Sequence, residues 1–292
     1  SEEEAFAAPC ACDLLIDPAH RDPGLFHGIM QYPLNDLGAR GYRWAFSLSA
    51  VPVTYLNNLR MGWRLVGPYE TLRRGTWQAR ALRGLKRRAP ALSSMLHGDG
   101  TAFVALDDVA QMESGDGTLT VAREPRLDAM ARLSRGGADA ARLGHDRSAA
   151  YFAWRFGNPL HEYRFVFWED TELRGFLVLQ ARRNDAAANV NIVDWEAERP
   201  EILGRLLHAA VQSGHFKSLS TWSATLSPEA KAALHDLGFV AADESRGVAG
   251  YRPGLLAKRI AGSPDADGSA LPEARVLQMA SWDLRMAYSD SY

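Results

Sequence analysis

An internal duplication limits the folds open to this chain. The first copy begins with a short segment at 14–17 that ends in an aspartate, and it runs through two helical stretches to Gly62. The second copy begins at 191–194 and reaches Gly238 in the same order. The aspartate and the glycine are 45 residues apart in the first copy and 44 in the second. Because a segment of this length that occurs twice indicates one arrangement used twice, the sequence predicts two related units.

The composition is ordinary for a water-soluble chain and argues against two classes of protein. Of the 292 residues, 47% are hydrophobic and 23% are charged, which suffices for two domains with separate cores. The formal net charge of -2 provides no strongly basic surface, so a protein built around nucleic acid is not expected. No apolar run approaches the roughly 18 residues that a membrane-spanning helix needs.

The two cysteines, Cys10 and Cys12, are separated by one residue near the start of the sequence. Two thiols cannot form a disulfide framework or complete a four-ligand zinc site. No cluster of His, Cys, Asp or Glu elsewhere has the spacing of metal ligands. We therefore expect a protein without metal in a reducing, cytoplasmic compartment.

A strand, a turn and a helix are predicted at the start of the first copy. The apolar residues up to Ile16 are typical of a buried strand, although so short a run is also compatible with a buried helix segment. Pro18 ends this segment, and apolar residues then recur at helical spacing between Leu25 and Leu37. After this helix we expect a strand at 42–48, a helix at 54–61 and a strand at 63–66.

Seven basic residues and no acidic residue occur from Arg73 to Arg88. Apolar residues recur among them at helical spacing, so the sequence predicts an amphipathic linker helix. The simplest interpretation of its basic face is contact with solvent. The alternative is contact with an acidic partner, a membrane surface or a cofactor phosphate. A hairpin or loop is expected at 113–117, where serine, aspartate and glycine cluster.

The second half of the chain combines predicted helices with a hairpin. The expected helices lie at 127–133, 138–143 and 148–156, and the hairpin pairs 163–168 with 173–180. Together with the second copy of the repeat, this order predicts a mixed sheet flanked by helices, which is an α/β or α+β sandwich. A linker rich in Gly, Ser, Pro and Asp is expected at 261–271 and a final strand at 282–288.

The sequence resembles the GNAT superfamily of acyl-CoA-dependent N-acyltransferases. Residues 17–26 are similar to the family's strand end followed by an Arg-x-x-Gly-x-Gly/Ala turn. Residues 55–63 are similar to its helix that closes on Gly-Phe or Gly-Trp, and residues 151–159 resemble a segment of tandem members, some of which modify cell-surface glycans or their precursors. The resemblance implies two GNAT-like sheets flanked by helices, acetyl-CoA or another acyl-CoA as co-substrate, and a small molecule or glycan precursor as acceptor.

The resemblance also implies a CoA site in the turn of the first copy. Backbone N–H groups and the positive end of the helix dipole would bind the pyrophosphate there, and glycine lets the main chain approach closely. The residues so implied are Arg21, Asp22, Gly24, Leu25 and Phe26. Two departures argue against it, because Pro23 lacks an N–H group and Asp22 brings a negative charge. An ordinary strand-to-helix turn is the alternative interpretation.

The matching turn of the second copy is acidic. Superposing the copies through their aspartates places Glu198 opposite Arg21 and Glu201 opposite Gly24. Two carboxylates would repel a pyrophosphate rather than bind it. We therefore expect a degenerate second unit that binds no CoA and that provides structural support or acceptor recognition, or has lost an activity.

Tyr55 is the candidate catalytic residue. The family's tyrosine, which protonates the departing thiolate, would fall near Asn58, four residues before Gly62. Tyr55 lies three residues earlier on the same helical face. A half-buried packing tyrosine is the alternative. Asp17 is a candidate base, although an aspartate before proline commonly forms a turn.

The predicted organisation has four parts. They are a partial first unit with the CoA-type turn (1–72), a basic helical linker and hairpin (73–120), a degenerate second unit (121–262), and a linker with a C-terminal strand (263–292). A full GNAT unit has three strands and two helices before the strand placed at 14–17, whereas about a dozen residues precede it here. We expect a truncated first sheet whose unpaired edge associates with another chain.

Two other functions stay open at this point. Asp22, Pro23 and Asn58 favour a non-catalytic binding or scaffold protein in which both CoA sites have decayed. The basic residues at 73–88 are compatible with binding to a membrane surface or to nucleic acid. Strong affinity that is lost at high salt would support this function.

Overall fold

A computed structural model describes most of the chain. The described residues are 5–12, 14, 16–20, 24–48, 51–75, 111–114, 116–137, 139, 141–183, 189–213, 216–242, 252–260 and 271–289. Within these ranges no helix is both long enough and apolar enough to cross a membrane.

Helices and strands alternate along the chain. The helices are α1 (Leu25–Ala39), α2 (Pro52–Arg60), α3 (Leu127–Gly137), α4 (Ala149–Phe156), α5 (Pro200–Ser213), α6 (Pro228–Asp236) and α7 (Glu273–Val276). The strands are β1 (Trp44–Ser47), β2 (Arg64–Pro68), β3 (Thr71–Gly75), β4 (Gln111–Ser114), β5 (Gly117–Ala122), β6 (His161–Glu169), β7 (Leu173–Arg182), β8 (Asn189–Ala197), β9 (Ser218–Trp222), β10 (Val240–Ala241) and β11 (Gly254–Arg259). Short 3-10 turns occur at Pro18–His20, Met279–Ser281 and Met286–Tyr288.

The strands form two sheets. The small sheet has the order β1-β11-β2, and both of its pairs are antiparallel. The large sheet has the order β10-β3-β9-β8-β7-β6-β5-β4 and is antiparallel except for the pair β8 and β9. The predicted hairpin is confirmed as β6 and β7. The predicted α/β class, with two sheets flanked by helices, is also confirmed.

Each sheet contains a strand from the other half of the chain. In the small sheet, β11 comes from the end of the second unit and lies between β1 and β2. In the large sheet, β3 follows the first unit and lies between β9 and β10. Because of this exchange, main-chain hydrogen bonds join the two units directly, and the sheets do not divide the chain at residues 72 and 121.

The duplication is visible in the backbone. Both α2 and α6 end at a glycine with positive φ, which is 79° at Gly62 and 84° at Gly238. Glycine adopts this conformation without the steric cost that a Cβ would bring. A strand follows directly in both units, β2 in the first and β10 in the second. The two helix ends are therefore structural equivalents, as the repeat predicts.

The start of the first copy differs from the sequence-based expectation. The predicted strand at 14–17 is wrong, because the described residues of that segment belong to no strand. Instead, Cys10 pairs in parallel with Phe46, where Ala11 N–H donates to the Phe46 carbonyl (2.7 Å) and Phe46 N–H donates to the Pro9 carbonyl (2.9 Å). The short apolar run could not locate this pairing, because the partner strand is distant in sequence.

Two predictions near the ends of the second unit are also wrong. The C-terminal segment at 282–288 forms a single bridge from Trp282 to Leu143 and a 3-10 turn in place of a strand, and its apolar side chains are buried without a neighbouring ladder. The described residues of the helix predicted at 138–143 are not helical. There the Asp139 carboxylate accepts the Ala141 N–H (2.9 Å), which favours a turn.

The predicted basic helix begins in a strand. Arg73 and Arg74 belong to β3, where they pair with Ser220 and Leu219 of β9. The remainder of that predicted helix, from residue 76, lies outside the described residues. Helical spacing of apolar residues could not reveal β3, because its neighbours in the sheet lie more than a hundred residues away in sequence.

Buried side chains pack in three clusters. The helix-side cluster lies between the small sheet and helices α1 and α2, and it contains Leu34, Ala45, Trp63, Leu256 and Ile260. A second cluster covers the α5 and α6 face of the large sheet. The third joins the α3 and α4 face of the large sheet to the other face of the small sheet, with the C-terminal segment between them. The two units therefore share one core.

Candidate functional sites in the two units

In each unit, two parallel segments part on the side where the next helix begins. In the second unit β8 pairs with β9 only over residues 189–191, although β8 continues to Ala197. In the first unit, Cys10 pairs in parallel with Phe46 of β1. The chain after Cys10 then leaves β1 and continues to α1. Ligands of open α/β sheets bind outside the carboxyl ends of strands that part in this way. Each unit therefore has one candidate cleft.

The start of α1 forms one wall of the first candidate cleft. Gly24 is the N-cap residue and has no side chain of its own to cap the helix, and the first turn of the helix contains no acidic residue. A helix of 15 residues concentrates partial positive charge at this end. Gly24 is exposed, and Leu25 and Phe26 are half-buried. Arg21 and Asp22 lie outside the described residues, so their part in a CoA site stays a prediction.

Asp17 forms a turn ahead of this helix. Its Oδ1 accepts the N–H of Ala19 (2.8 Å), and its carbonyl accepts the N–H of His20 (2.9 Å). This is the geometry of a side chain that closes a local turn. Of the two interpretations of Asp17, the turn former is therefore favoured over the general base.

The loop before the helix differs in length between the units. Cys10 and Asn191 hold the same ladder position, because each pairs with the parallel strand at equivalent places in the two sheets. Leu25 follows Cys10 by fifteen residues, whereas Pro200 follows Asn191 by nine. The superposition of the two copies through their aspartates therefore does not hold in the backbone. The longer first loop contains the candidate CoA residue Arg21.

Tyr55 lies on α2 and packs against the helix-side cluster. Its side chain is half-buried, and burial raises the pKa of its hydroxyl above the ordinary value of 10.0. The hydroxyl is therefore protonated at neutral pH and able to donate. The sequence-based alternative, a packing tyrosine, is equally compatible with this position.

A cavity of about 210 Å³ lies in the cleft of the second unit. It is bounded by the end of β8, the start of α5, the start of α6 and the C-terminal segment. Its charged lining residues are Arg142, Arg199, Arg285, Glu196, Glu229 and Asp283. The lining therefore carries equal numbers of cationic and anionic side chains.

The C-terminal segment closes one side of that cavity. Arg142 donates to the carbonyls of Thr225 (2.7 Å) and Trp282. The Thr225 hydroxyl accepts the N–H of Leu284 (3.0 Å). Arg285 lies over the ring of Trp195, 4.7 Å from its centroid. These contacts fix the segment against the loop between β9 and α6.

A buried ionic network lies beside the end of β8. Arg147 donates to Asp194 (2.7 Å) and to Glu196 (2.7 Å). Arg285 donates to Asp283 (3.2 Å). Burial raises the pKa of Asp194, although the nearby arginines oppose the shift. For Asp283 burial acts in the same direction, but Arg285 and its neighbours prevail and lower the pKa. The buried arginines and carboxylates of this network are therefore paired with one another.

The two carboxylates expected to repel a pyrophosphate occupy different surroundings. Glu198 accepts a hydrogen bond from Arg174 (3.0 Å), and its own N–H donates to the Arg174 carbonyl (3.0 Å). Glu201 lies in the first turn of α5, where a carboxylate interacts favourably with the helix dipole. Glu198 is thus neutralised by a cation, and Glu201 occupies the end of the helix that an anionic ligand would need.

Sequence reasoning missed the polar interior of the first unit. Asn58, named only as the place of a missing tyrosine, is buried and its side-chain amide has no hydrogen-bond partner in the described structure. An asparagine four residues before a helix-ending glycine was the sequence signal that could have indicated this buried polar side chain. Among the described residues, no group of three or more His, Cys, Asp or Glu could hold a metal ion.

Two sheets, the parted parallel segments and the repeated helix ends together define a GNAT fold in tandem. No protein-family model and no curated protein sequence matches the chain. Solved structures do match. A tandem GNAT protein from the clavulanic acid biosynthesis pathway is 14% identical, with a TM-score of 0.52, over 87% of this chain and 76% of that one.

Two further structures have the same likeness. A GCN5-related N-acetyltransferase from Anabaena variabilis is 11% identical, with a TM-score of 0.51, and the match covers 83% of this chain and 52% of that one. A probable N-acyltransferase from Enterococcus faecalis is 10% identical, with a TM-score of 0.51, over 84% and 52%. The chain thus spans about half the length of these two proteins. The likeness confirms the predicted tandem GNAT fold.

Proposed function

We propose that this protein is an acyl-CoA-dependent acyltransferase whose CoA site lies in the first unit. The observation that carries the proposal is the start of α1, which stands beside the parting segments, has a glycine as its N-cap residue and has no carboxylate in its first turn. A pyrophosphate at such a helix end gains hydrogen bonds from main-chain N–H groups and the favourable end of the dipole. The acceptor is an amine or hydroxyl of a small molecule or glycan precursor.

The turn supplies the anion-binding groups. Gly24, Leu25 and Phe26 contribute main-chain N–H groups, and Arg21 adds a cationic side chain. Because Gly24 is exposed and has no side chain, the main chain is open to close approach by a ligand.

The reaction moves an acyl group from sulfur to nitrogen or oxygen. The acceptor atom attacks the thioester carbonyl carbon, a new C–N or C–O bond forms, and the C–S bond breaks. The acceptor's proton passes to water, and the CoA thiolate takes a proton from the Tyr55 hydroxyl. Burial raises the pKa of that hydroxyl above its ordinary value of 10.0, so at neutral pH it carries the proton that this step needs.

The second unit supports the first and binds no CoA in this proposal. Its cleft contains an internal ionic network, and its C-terminal segment is fixed across one side.

Calorimetric titration with acetyl-CoA tests the proposal. The unmodified protein should bind, and Gly24→Glu should weaken binding about tenfold or more, because it adds a negative charge beside the pyrophosphate. The matched control is Gly204→Glu on α5 of the second unit, where a Cβ meets nothing within 4 Å. This control should bind acetyl-CoA as the unmodified protein does. Failure of the unmodified protein to bind would end the acyltransferase proposal.

A binding protein without turnover is the second candidate. It is favoured by the asparagine that stands where the family's tyrosine is expected, since Asn58 cannot protonate a thiolate. Release of free CoA thiol from acetyl-CoA, measured with amine and amino-sugar acceptors, separates the two. Binding without any thiol release would favour the non-catalytic candidate, and loss of release in Tyr55→Phe would favour the enzyme.

A further inference from the structure

The inner face of α2 carries a polar side chain where packing alone favours an apolar one. Asn58 is 1% exposed. Neither its Oδ1 nor its Nδ2 has a hydrogen-bond partner in the described part of the chain. Burying an amide without partners costs free energy, and native proteins keep few such groups. The presence of this one calls for a reason outside packing.

The second unit shows what packing alone selects at this position. Trp63 N–H donates to the Asn58 carbonyl (3.1 Å), and Phe239 N–H donates to the Leu234 carbonyl (3.0 Å). These are equivalent bonds of the same helix-ending motif, so Asn58 and Leu234 occupy one structural position. Leu234 is also 1% exposed, and it packs in the cluster between α6 and the large sheet. The backbone therefore does not require asparagine here.

Two further side chains of this layer are also polar and have no partner in the described part of the chain. Ser47 points to the same side of β1 as Ala45, which belongs to the helix-side cluster, and the Ser47 hydroxyl is buried without a partner in the described structure. The Nε1 of Trp63 is buried and unpaired as well. Three side chains thus bring four unpaired polar atoms to the layer between the small sheet and its helices.

The equivalent positions of the second unit are satisfied or apolar. The strand registers make Thr221 the equivalent of Ser47, and the Thr221 hydroxyl donates to the Ile192 carbonyl (3.0 Å). Phe239 replaces Trp63 and has no polar atom in its side chain. At these three positions, only the first unit has buried polar atoms without a partner in the described part of the chain.

We infer that the Asn58 amide binds the pantetheine arm of acyl-CoA in the first unit. This inference rests on the proposed function. Each secondary amide of the arm offers one N–H and one carbonyl, and the primary amide of Asn58 donates and accepts in return. The Ser47 hydroxyl and the Trp63 N–H provide further partners for the amides or the thioester carbonyl. Binding then supplies the hydrogen bonds that the ligand-free protein lacks.

The inference predicts opposite effects on stability and on binding. Asn58→Leu removes an unpaired buried amide, so without ligand its melting temperature should rise by about 2 °C or more. The same variant should bind acetyl-CoA about tenfold more weakly, because the arm loses its partner. ADP keeps the pyrophosphate and lacks the arm, so its Kd should be unchanged. A purely structural role for Asn58 predicts no such separation of the two ligands.

Two further variants serve as a second test and a control. Asn58→Ala removes the same amide without adding bulk and should also weaken acetyl-CoA, but not ADP, which keeps the test valid if the leucine does not fit. Asn57→Leu makes the same substitution on a neighbouring, half-buried position of α2 and should bind acetyl-CoA as the unmodified protein does. Calorimetry provides each Kd, and thermal unfolding provides each melting temperature.

The outcomes separate this inference from the function on which it rests. If the unmodified protein binds acetyl-CoA and both Asn58 variants bind it equally well, a buried water satisfies the amide and the inference is wrong. Equal loss of acetyl-CoA and ADP binding in both variants also overturns it, because the effect would then reach beyond the arm. If the unmodified protein binds no acetyl-CoA, the proposed function itself fails.

Discussion

The two units end their second helix with the same backbone motif and fill the space beneath it differently. In the second unit, Leu234 and Phe239 pack as apolar side chains. In the first, Asn58 and Trp63 bring polar atoms that find no partner within the described residues. A buried polar group without a partner lowers the free energy of unfolding, so stability does not explain why the first unit has polar side chains at these positions.

The clefts of the two units also differ. In the second unit, buried arginines and carboxylates pair with one another beside the cleft, and the C-terminal segment is bonded across one side. In the first unit, the loop before the helix is longer, the N-cap residue Gly24 has no side chain, and the first turn of α1 contains no carboxylate. In our proposal, only the first copy of this duplicated backbone binds a ligand.

The largest expected effect comes from breaking the ionic network of the second unit. Arg147→Leu leaves Asp194 and Glu196 buried without their cation, and we expect a loss of about 3–5 kcal/mol in the free energy of unfolding. Urea denaturation measures it. The control is Arg174→Leu, whose side chain is 31% exposed and bonded to surface carboxylates, and it should lose no more than about 1 kcal/mol. Equal losses would show that the cleft is not internally satisfied.

The next effect comes from giving the second unit the residue of the first. Leu234→Asn puts an amide into an apolar cluster, and we expect a loss of about 2–4 kcal/mol from lost packing and an unpaired polar group. Asn58→Leu, the reverse exchange, should gain stability. Denaturation of both variants in the same buffer makes the comparison. If Leu234→Asn cost little, the second unit would tolerate polar atoms as readily as the first, and the contrast between them would disappear.

The sequence predicts the fold where the determinants are local. Glycine is required at residues 62 and 238 because the chain adopts a positive φ there, and the recurrence of that requirement revealed the repeat. The hairpin of β6 and β7 follows from two apolar runs separated by a polar turn. The helix α4 begins beside Ser148, whose side chain accepts the N–H of Tyr151 (3.3 Å). Each signal lies within a few residues of the structure it specifies.

The rest depends on partners that are distant in sequence. β3 belongs to the sheet of the second unit and β11 to the sheet of the first. The residues around each strand do not indicate which strands it pairs with. Cys10 pairs with Phe46, so the parallel pairing lies before the segment at 14–17, where the sequence predicted a strand. The state of the Asn58 amide depends on which atoms surround it in the folded protein. For these reasons the polar interior of the first unit could not be predicted from the sequence.

A smaller and equal effect is expected at the two helix-ending glycines. Alanine at Gly62 or Gly238 must adopt a positive φ, and each variant should lose about 1–2 kcal/mol. A Cβ at these positions meets only side-chain ends, at 3.5 and 3.7 Å, so strain in the backbone dominates. Gly28→Ala within α1 is the control and should not destabilise, because a Cβ there meets nothing within 4 Å. Clearly unequal losses would argue that the two helix ends are not equivalent.

The smallest effect concerns the starts of the same two helices. Ser227 caps α6 by accepting the Ala230 N–H (3.2 Å), and Ser227→Ala should lose about 1 kcal/mol. Val51 stands at the same place before α2 and provides no side-chain cap, so Val51→Ser should gain about 0.5–1 kcal/mol. Thermal unfolding of the pair measures both changes. A gain in Val51→Ser without weaker acetyl-CoA binding would mean that the uncapped start of α2 has no part in the site. A gain in stability together with weaker acetyl-CoA binding would mean that the first turn of α2, like its inner face, contributes to the binding site.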